Sequence, residues 1–204
     1  MRVSVVAAAS VMTIGPGSVA EAAPAMAALP VVEHVDWQRY GGRWYELARL
    51  PNSFQRKCVA DVTADYDALP DGSLRVVNRC RRDADELDVA NGEARRVQGD
   101  IGKLKVRFAP RWLAWLPVVW GDYWVIGLDD DYRTALVGTP DREYLWLLSR
   151  APQRPTADID AWLQRAEALG FDTDRVMRTH QGAPNPSLGS AAEEPAAPSA
   201  GARP

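Results

Sequence analysis

Between Lys103 and Phe108 the side chains alternate without a break: Leu104, Val106 and Phe108 are apolar, while Lys103, Lys105 and Arg107 are cationic. That period belongs to a strand and not a helix, with one face on a core and the other in water. The pattern recurs over 58–67, where Ala60, Val62, Ala64 and Tyr66 interleave with Asp61, Thr63, Asp65 and Asp67. It recurs again over 73–80, where Leu74, Val76 and Asn78 oppose Arg75 and Arg79. Between these two runs, Leu69-Pro70-Asp71-Gly72 is a turn in which proline pre-sets φ and glycine supplies a positive one. Further strands are expected at 44–50, 94–99, 122–128, 134–139 and 143–149, with the polar stretch 81–92 as a loop. Eight short strands joined in sequence by turns define an all-β fold, an antiparallel up-and-down barrel.

A barrel of eight strands holds one small ligand if its inward side chains leave room. Strand parity nominates Val62, Tyr66, Val76, Val106, Phe108, Trp124, Ile126, Tyr144 and Trp146 as inward-facing. The same residues could instead fill a solid core, and a bulge would turn every later side chain of a strand to the other face. Cys58 and Cys80 flank the hairpin at Pro70-Asp71-Gly72 and share the parity of the apolar faces, so a disulfide is expected between them.

The ends of the chain read differently. Residues 1–25 have the form of a secretory signal: Arg2, an apolar run over 3–14, then Ala20-Glu21-Ala22 and Ala23-Pro24-Ala25 as cleavage sites. The run is too short to span a membrane, and the leader has no cysteine for lipid attachment. A linker over 26–34 leads into the domain, 35–182, which opens with a short helical turn over 35–40. After the eighth strand, Ile159, Trp162, Leu163, Ala166 and Leu169 recur at helical spacing, with Thr156 at the N-cap, Asp158 in the first turn and Gly170 at the end. This helix is expected to pack its stripe on the outside of the barrel. Residues 183–204, rich in Pro, Ala and Ser and without aromatics, are expected to be disordered.

A net charge of −3 leaves no electrostatic footprint for nucleic acid. His34 and His180 lie at opposite ends of the domain and away from both cysteines, which argues against zinc. Asp129-Asp130-Asp131 reads as a charged turn in preference to a cation site. No nucleophile elbow, phosphate loop, zinc-protease motif or dinucleotide fingerprint occurs, so no cofactor is expected.

Gly41 and Gly42 permit a tight turn into Gly42-Arg43-Trp44-Tyr45-Glu46-Leu47-Ala48-Arg49-Leu50. Taken with Asp130-Asp131-Tyr132 and Tyr144-Leu145-Trp146-Leu147-Leu148-Ser149-Arg150, this run resembles the three signature regions of the lipocalins, and of the bacterial, apolipoprotein D-like lipocalins in particular. Where that family more often has Thr-Asp-Tyr, this chain has Asp130-Asp131-Tyr132. The resemblance implies a calyx closed at one end and open at the other, and a small apolar ligand such as a fatty acid or lysophospholipid. It also implies a periplasmic or secreted carrier that is not an enzyme. A lipocalin-like isomerase acting on an enclosed lipid or terpenoid is the alternative, with the cysteine pair as its nucleophile unless a disulfide silences it. Gly42, Trp44, Asp131, Tyr132 and Arg150 would be structural, with Arg150 over the Trp44 indole at the closed end. Glu46 shares the parity of Trp44, so it turns either into the cavity, where it needs a partner, or to the rim.

With strand one starting at the closed end, the segment joining strands five and six lies at the mouth. It carries Trp112, Trp115 and Trp120 among aliphatic residues. Exposed, such a loop marks an interface. It could touch a membrane leaflet, fold inward as a lid, or pair with a second copy in a homodimer.

Overall fold

The computed structural model describes residues 27–83 and 86–182. The leader read over 1–25 and the tail over 183–204 lie outside them. Nine antiparallel strands form one sheet: β1 (Gly42–Arg49), β2 (Ala60–Ala68), β3 (Leu74–Arg81), β4 (Leu87–Arg96), β5 (Lys103–Arg107), β6 (Gly121–Leu128), β7 (Thr134–Gly138), β8 (Leu145–Ser149) and β9 (Met177–Arg178). Each of the first seven pairs with its successor, and β8 pairs back onto β1, which closes the barrel. The helices are α1 (Trp37–Tyr40) and α2 (Thr156–Ala168).

The expectation of a loop over 81–92 was wrong for its second half. β4 runs from Leu87 and pairs with β3 over eight residues, from Arg81↔Leu87 to Leu74↔Ala94. Most of its side chains are exposed, so the strand lacks the apolar alternation that marks the others. Its partner holds it, and its own pattern does not.

Two apolar layers share the sheet. Inside lie Trp44, Tyr66, Leu74, Val76, Leu104, Tyr123, Val125, Val137 and Leu148, with Tyr40 and Trp37 of α1 closing one end. Outside, Leu47, Ile126, Leu136, Leu145 and Leu147 meet Ile159, Trp162, Leu163 and Ala166 of α2 and Leu169 at its C-cap. A Cβ on Gly127 would stand 2.9 Å from the Trp162 ring, so that glycine is what lets the helix sit flat on β6. The N-cap of α2 is Pro155 and not Thr156, with no side-chain cap; the proline's fixed φ starts the helix, and Asp158 in its first turn pairs with Arg154 at 3.0 Å.

The stretch expected as a linker is docked on the barrel. Leu29 is buried in the outer layer, the Val32 N–H donates to the Val125 carbonyl at 3.0 Å, and the Ala27 carbonyl accepts from Arg142.

At its far end the chain returns to β1. β1 pairs with β2 only from Gly42 to Tyr45, and β9 pairs with β1 at Ala48 and Arg49. Residues 179–182 then fill the gap beside β2. The Thr179 N–H donates to the Leu47 carbonyl and the Asp61 N–H to that of His180, while the Gln181 amide bridges the Glu46 and Val62 carbonyls at 2.8 and 2.9 Å.

Candidate functional site

The closed end is built around Arg150. Its guanidinium lies 3.9 Å from the centre of the Trp44 ring and donates to the carbonyls of Arg43 (2.7 Å), Arg39 (2.8 Å), Tyr40 (3.0 Å) and Tyr132 (3.2 Å). Burial draws Arg150 below the ordinary arginine value, and it remains a cation at neutral pH. α1 is capped by Asp36, whose carboxylate accepts the N–H groups of Gln38 and Arg39. Gly42, at φ +83°, makes the turn from α1 into β1. The Asp36 N–H in turn donates to the Tyr132 hydroxyl at 2.8 Å. In the turn before β7, Asp131 is exposed, and the carboxylate that holds the backbone is Asp129, which accepts the Arg133 N–H at 2.6 Å. The structural part assigned to Asp131 thus falls to Asp129, because Tyr132 in a left-handed conformation turns the chain back over that side chain. Among the described residues no group of three or more His, Cys, Asp or Glu is disposed to hold a metal ion.

Above this floor the barrel is hollow. A cavity of about 720 Å³ opens at the opposite end, a size in the range of ligand sites and not of packing voids. Seven of the nine residues nominated from parity line it: Val62, Tyr66, Val76, Val106, Phe108, Tyr144 and Trp146. The Phe108 ring lies across Gly92 of β4, where a Cβ would stand 2.7 Å from it. Trp146 and Tyr144 stack with ring centres 6.0 Å apart, and Phe54 packs near both.

Trp124 and Ile126 face the other way. Ile126 sits in the outer layer under α2, and Trp124 packs beside it with Lys103 Nζ 4.3 Å from the centre of its ring. Tyr123 and Val125 take the inward positions. The run from Tyr123 to Ile126 is apolar on both faces because a helix covers the outer one, so alternation gives no phase there. A bulge between Val125 and Gly127 then leaves Ile126 and Gly127 both outside.

The sequence leaves Glu46 open between cavity and rim and shows none of the contacts that hold it. Glu46 is 2% exposed, faces the cavity and does not reach the rim. Its carboxylate pairs with Arg49 at 2.8 Å and accepts from Thr179 and from Gln55 at 2.7 Å. Gln55 also accepts the Trp146 indole N–H at 2.9 Å. Arg49 lies three residues on in β1, but the other partners of Glu46 come from the first loop and from the residue after β9, where no local pattern operates. Asn78 points its parity-inward amide at the cavity with a buried oxygen that has no partner. Cys58 and Cys80 are joined, with Cα atoms 5.5 Å apart, and border the mouth.

Three tyrosines meet at the bottom of the cavity. The Tyr66 hydroxyl donates to that of Tyr123 at 2.9 Å, and the Tyr40 and Tyr123 hydroxyls share a hydrogen bond of 2.8 Å. Burial holds all three phenols protonated: it raises Tyr40 and Tyr123 well above the ordinary tyrosine value and pushes Tyr66 up to about 12.

The mouth is bordered by the segment joining β5 to β6, two single-turn helices at Arg111–Leu113 and Pro117–Val119. Trp120 is anchored: its N–H donates to the Ala114 carbonyl at 2.8 Å, and the guanidinium groups of Arg95 and Arg107 lie 4.7 and 5.2 Å from its ring centre. Trp112, Trp115 and Val118 are 73%, 76% and 87% exposed.

A closed eight-stranded wall, an apolar cavity open at one end and an arginine stacked on a tryptophan at the other define a calyx for small molecules. The chain belongs to the lipocalins: the lipocalin-like domain family matches residues 35–181. It is 37% identical over 169 residues to temperature-induced lipocalin-1 of Arabidopsis thaliana, covering 81% of this chain and 90% of that one. It is likewise 37% identical over 153 residues to the outer membrane lipoprotein Blc of Vibrio cholerae, covering 74% and 85%. Insecticyanin from the tobacco hornworm Manduca sexta shares the fold with a TM-score of 0.60 at 17% identity, covering 78% of this chain and 87% of that one. Membership of the family implies binding of small hydrophobic ligands.

Proposed function

We propose that the protein carries or stores single-chain lipids, fatty acids or lysophospholipids, in a bacterial periplasm or outside the cell, without chemistry of its own. The observation that carries this is the apolar cavity of about 720 Å³ lined by Val62, Val76, Val106, Phe108, Tyr144 and Trp146. Its mouth is bordered by the loop on which Trp112, Trp115 and Val118 are exposed. Side chains with an apolar body and a polar edge favour the membrane–water boundary. The loop therefore touches a leaflet and lets lipid pass into the barrel without crossing water. The signal-like leader supports export, and the joined cysteines remove the thiol on which the isomerase alternative relied.

Mass spectrometry of small molecules extracted from the natively purified protein tests the cargo. An intact acyl lipid is the expected finding; a chemically altered product of an added lipid would favour the enzyme. Vesicle co-sedimentation of the protein beside a Trp112→Ser, Trp115→Ser variant tests the contact. Wild type in the pellet and the variant in the supernatant, with ligand binding intact in both, is expected. Equal partition overturns the membrane role, and a concentration-dependent dimer lost in the variant would assign the loop to a second copy.

A further inference from the structure

The cavity's floor is not purely apolar, and its hydrogen bonds do not balance. Tyr40, Tyr66 and Tyr123 bring three hydroxyl protons together and make two hydrogen bonds among themselves. Tyr66 spends its proton on Tyr123. The remaining bond leaves one proton over, on Tyr40 if Tyr123 donates and on Tyr123 if Tyr40 donates. Tyr40 is 0% exposed and packs among Trp37, Trp44 and Tyr66, where a stranded proton would carry the full desolvation cost of an unmade hydrogen bond. Tyr123 lines the cavity. The lower-energy arrangement has Tyr40 donating to Tyr123 and the Tyr123 proton turned to the cavity.

From this geometry we propose that the Tyr123 hydroxyl is a buried donor that receives an uncharged oxygen at the inner end of a ligand. Long-chain alcohols, aldehydes and ketones then enter head first, as a ligand class besides the acyl lipids above. The inference rests on the cavity being a ligand site. Tyr40 is held in place as the fixed member of the trio, since its own carbonyl accepts both the Trp44 indole N–H at 2.8 Å and Arg150 at 3.0 Å. A phenol that stays protonated offers a proton at every physiological pH. A carboxylate taken to the same depth would bring a full charge into a wall of Val76, Leu148 and Ala64, at a desolvation cost that one neutral donor does not offset.

The test uses three probes of equal chain length, dodecane, 2-dodecanone and dodecanoate, each displacing a fluorescent naphthylamine from the intact protein. The ketone is expected to bind about five- to tenfold more tightly than the alkane, the gain of one hydrogen bond in a dry site. Tyr66 also lines the cavity and loses its acceptor when Tyr123 is replaced, so the variant is Tyr66→Phe with Tyr123→Phe, in which neither cavity-lining phenol of the trio remains and that gap closes. An independent measurement on wild type alone is the infrared carbonyl band of the bound ketone, expected at its hydrogen-bonded, lowered frequency. A gap that survives in the double variant, or an unshifted band in wild type, overturns the inference and leaves the lipid-carrier reading standing. Displacement by none of the three overturns that reading, and this inference with it.

Discussion

Replacing Arg150 with alanine should cost stability and spare binding. The loss can be worked from the contacts. Removing a guanidinium 3.9 Å from the Trp44 ring centre forfeits about 0.5–2 kcal/mol. Four carbonyls lose a donor, but that of Tyr40 keeps the Trp44 indole N–H, and that of Arg39 is exposed enough to find water. The carbonyls of Arg43 and Tyr132 remain, half-buried, at about 1 kcal/mol each. The sum is about 2–4 kcal/mol, which for a domain of this size lowers the melting temperature by about 6–12 °C. Arg150 does not line the cavity, and Trp44 stands between. Ligand affinity should therefore change by less than about twofold, within what an indirect contact transmits. Arg150→Lys should recover less than half of the loss, because a single ammonium cannot both cover the indole and reach carbonyls on three segments. Calorimetric melts of the three proteins beside probe displacement decide the matter. An unchanged melting temperature with abolished binding would refute the reasoning and move Arg150 into the ligand site.

Glu46→Ala leaves the buried Arg49 guanidinium without its counter-charge and should cost about 3–5 kcal/mol by denaturant titration. Glu46→Leu combined with Arg49→Leu should recover most of it, and failure to recover would assign the pair a role beyond mutual neutralisation. Reducing the Cys58–Cys80 disulfide, which closes a separation of 22 residues, should cost about 3 kcal/mol, read as a lower melting temperature in reductant. The tyrosine trio should limit stability in alkali. Its folded-state values are raised, so the stability is complete below the unfolded phenol value near 10, and the share of Tyr66 is lost as pH rises through about 12. Tyr66 alone accounts for about 2–3 kcal/mol of that loss. Near-ultraviolet absorbance should show the phenolates of Tyr40, Tyr66 and Tyr123 appearing in one step together with unfolding. A gradual titration of the folded protein would count against burial of the trio.

What the sequence makes legible follows from how each element is held. β2, β3 and β5 have one wet face, so Asp65, Arg75 and Lys105 mark the strand and its phase at once. α2 shows through its own stripe, from Ile159 to Leu169. The floor is legible because Trp44 and Arg150 sit in runs long enough to resemble a family. β4 and β6 are opaque for opposite reasons. From Leu87 to Gly92 too little is buried to give a pattern, and from Tyr123 to Ile126 too much is. The cavity's polar groups are hidden more deeply. Nothing near Glu46 in the chain announces Thr179, and nothing near Tyr40 announces Tyr123, because those partners meet only when the barrel closes.

The segment from Met177 to Gly182 has a consequence for the order of events during synthesis. The Gln181 amide holds the Glu46 and Val62 carbonyls across separations of 135 and 119 residues, and the Gly182 N–H caps Asp61 from 121 residues away. A ribosome delivers β1 more than a hundred residues before this segment, so the wall keeps a slit between β1 and β2 until residues 177–182 have emerged. Contacts of such span form late and slowly, and until they form, the parted edges offer unpaired backbone to any neighbouring strand. A chain ending at Val176 would contain every long strand, the helix and the whole floor. It would still leak at the seam beside Glu46, and its expected fate is edge-to-edge association instead of a filled calyx.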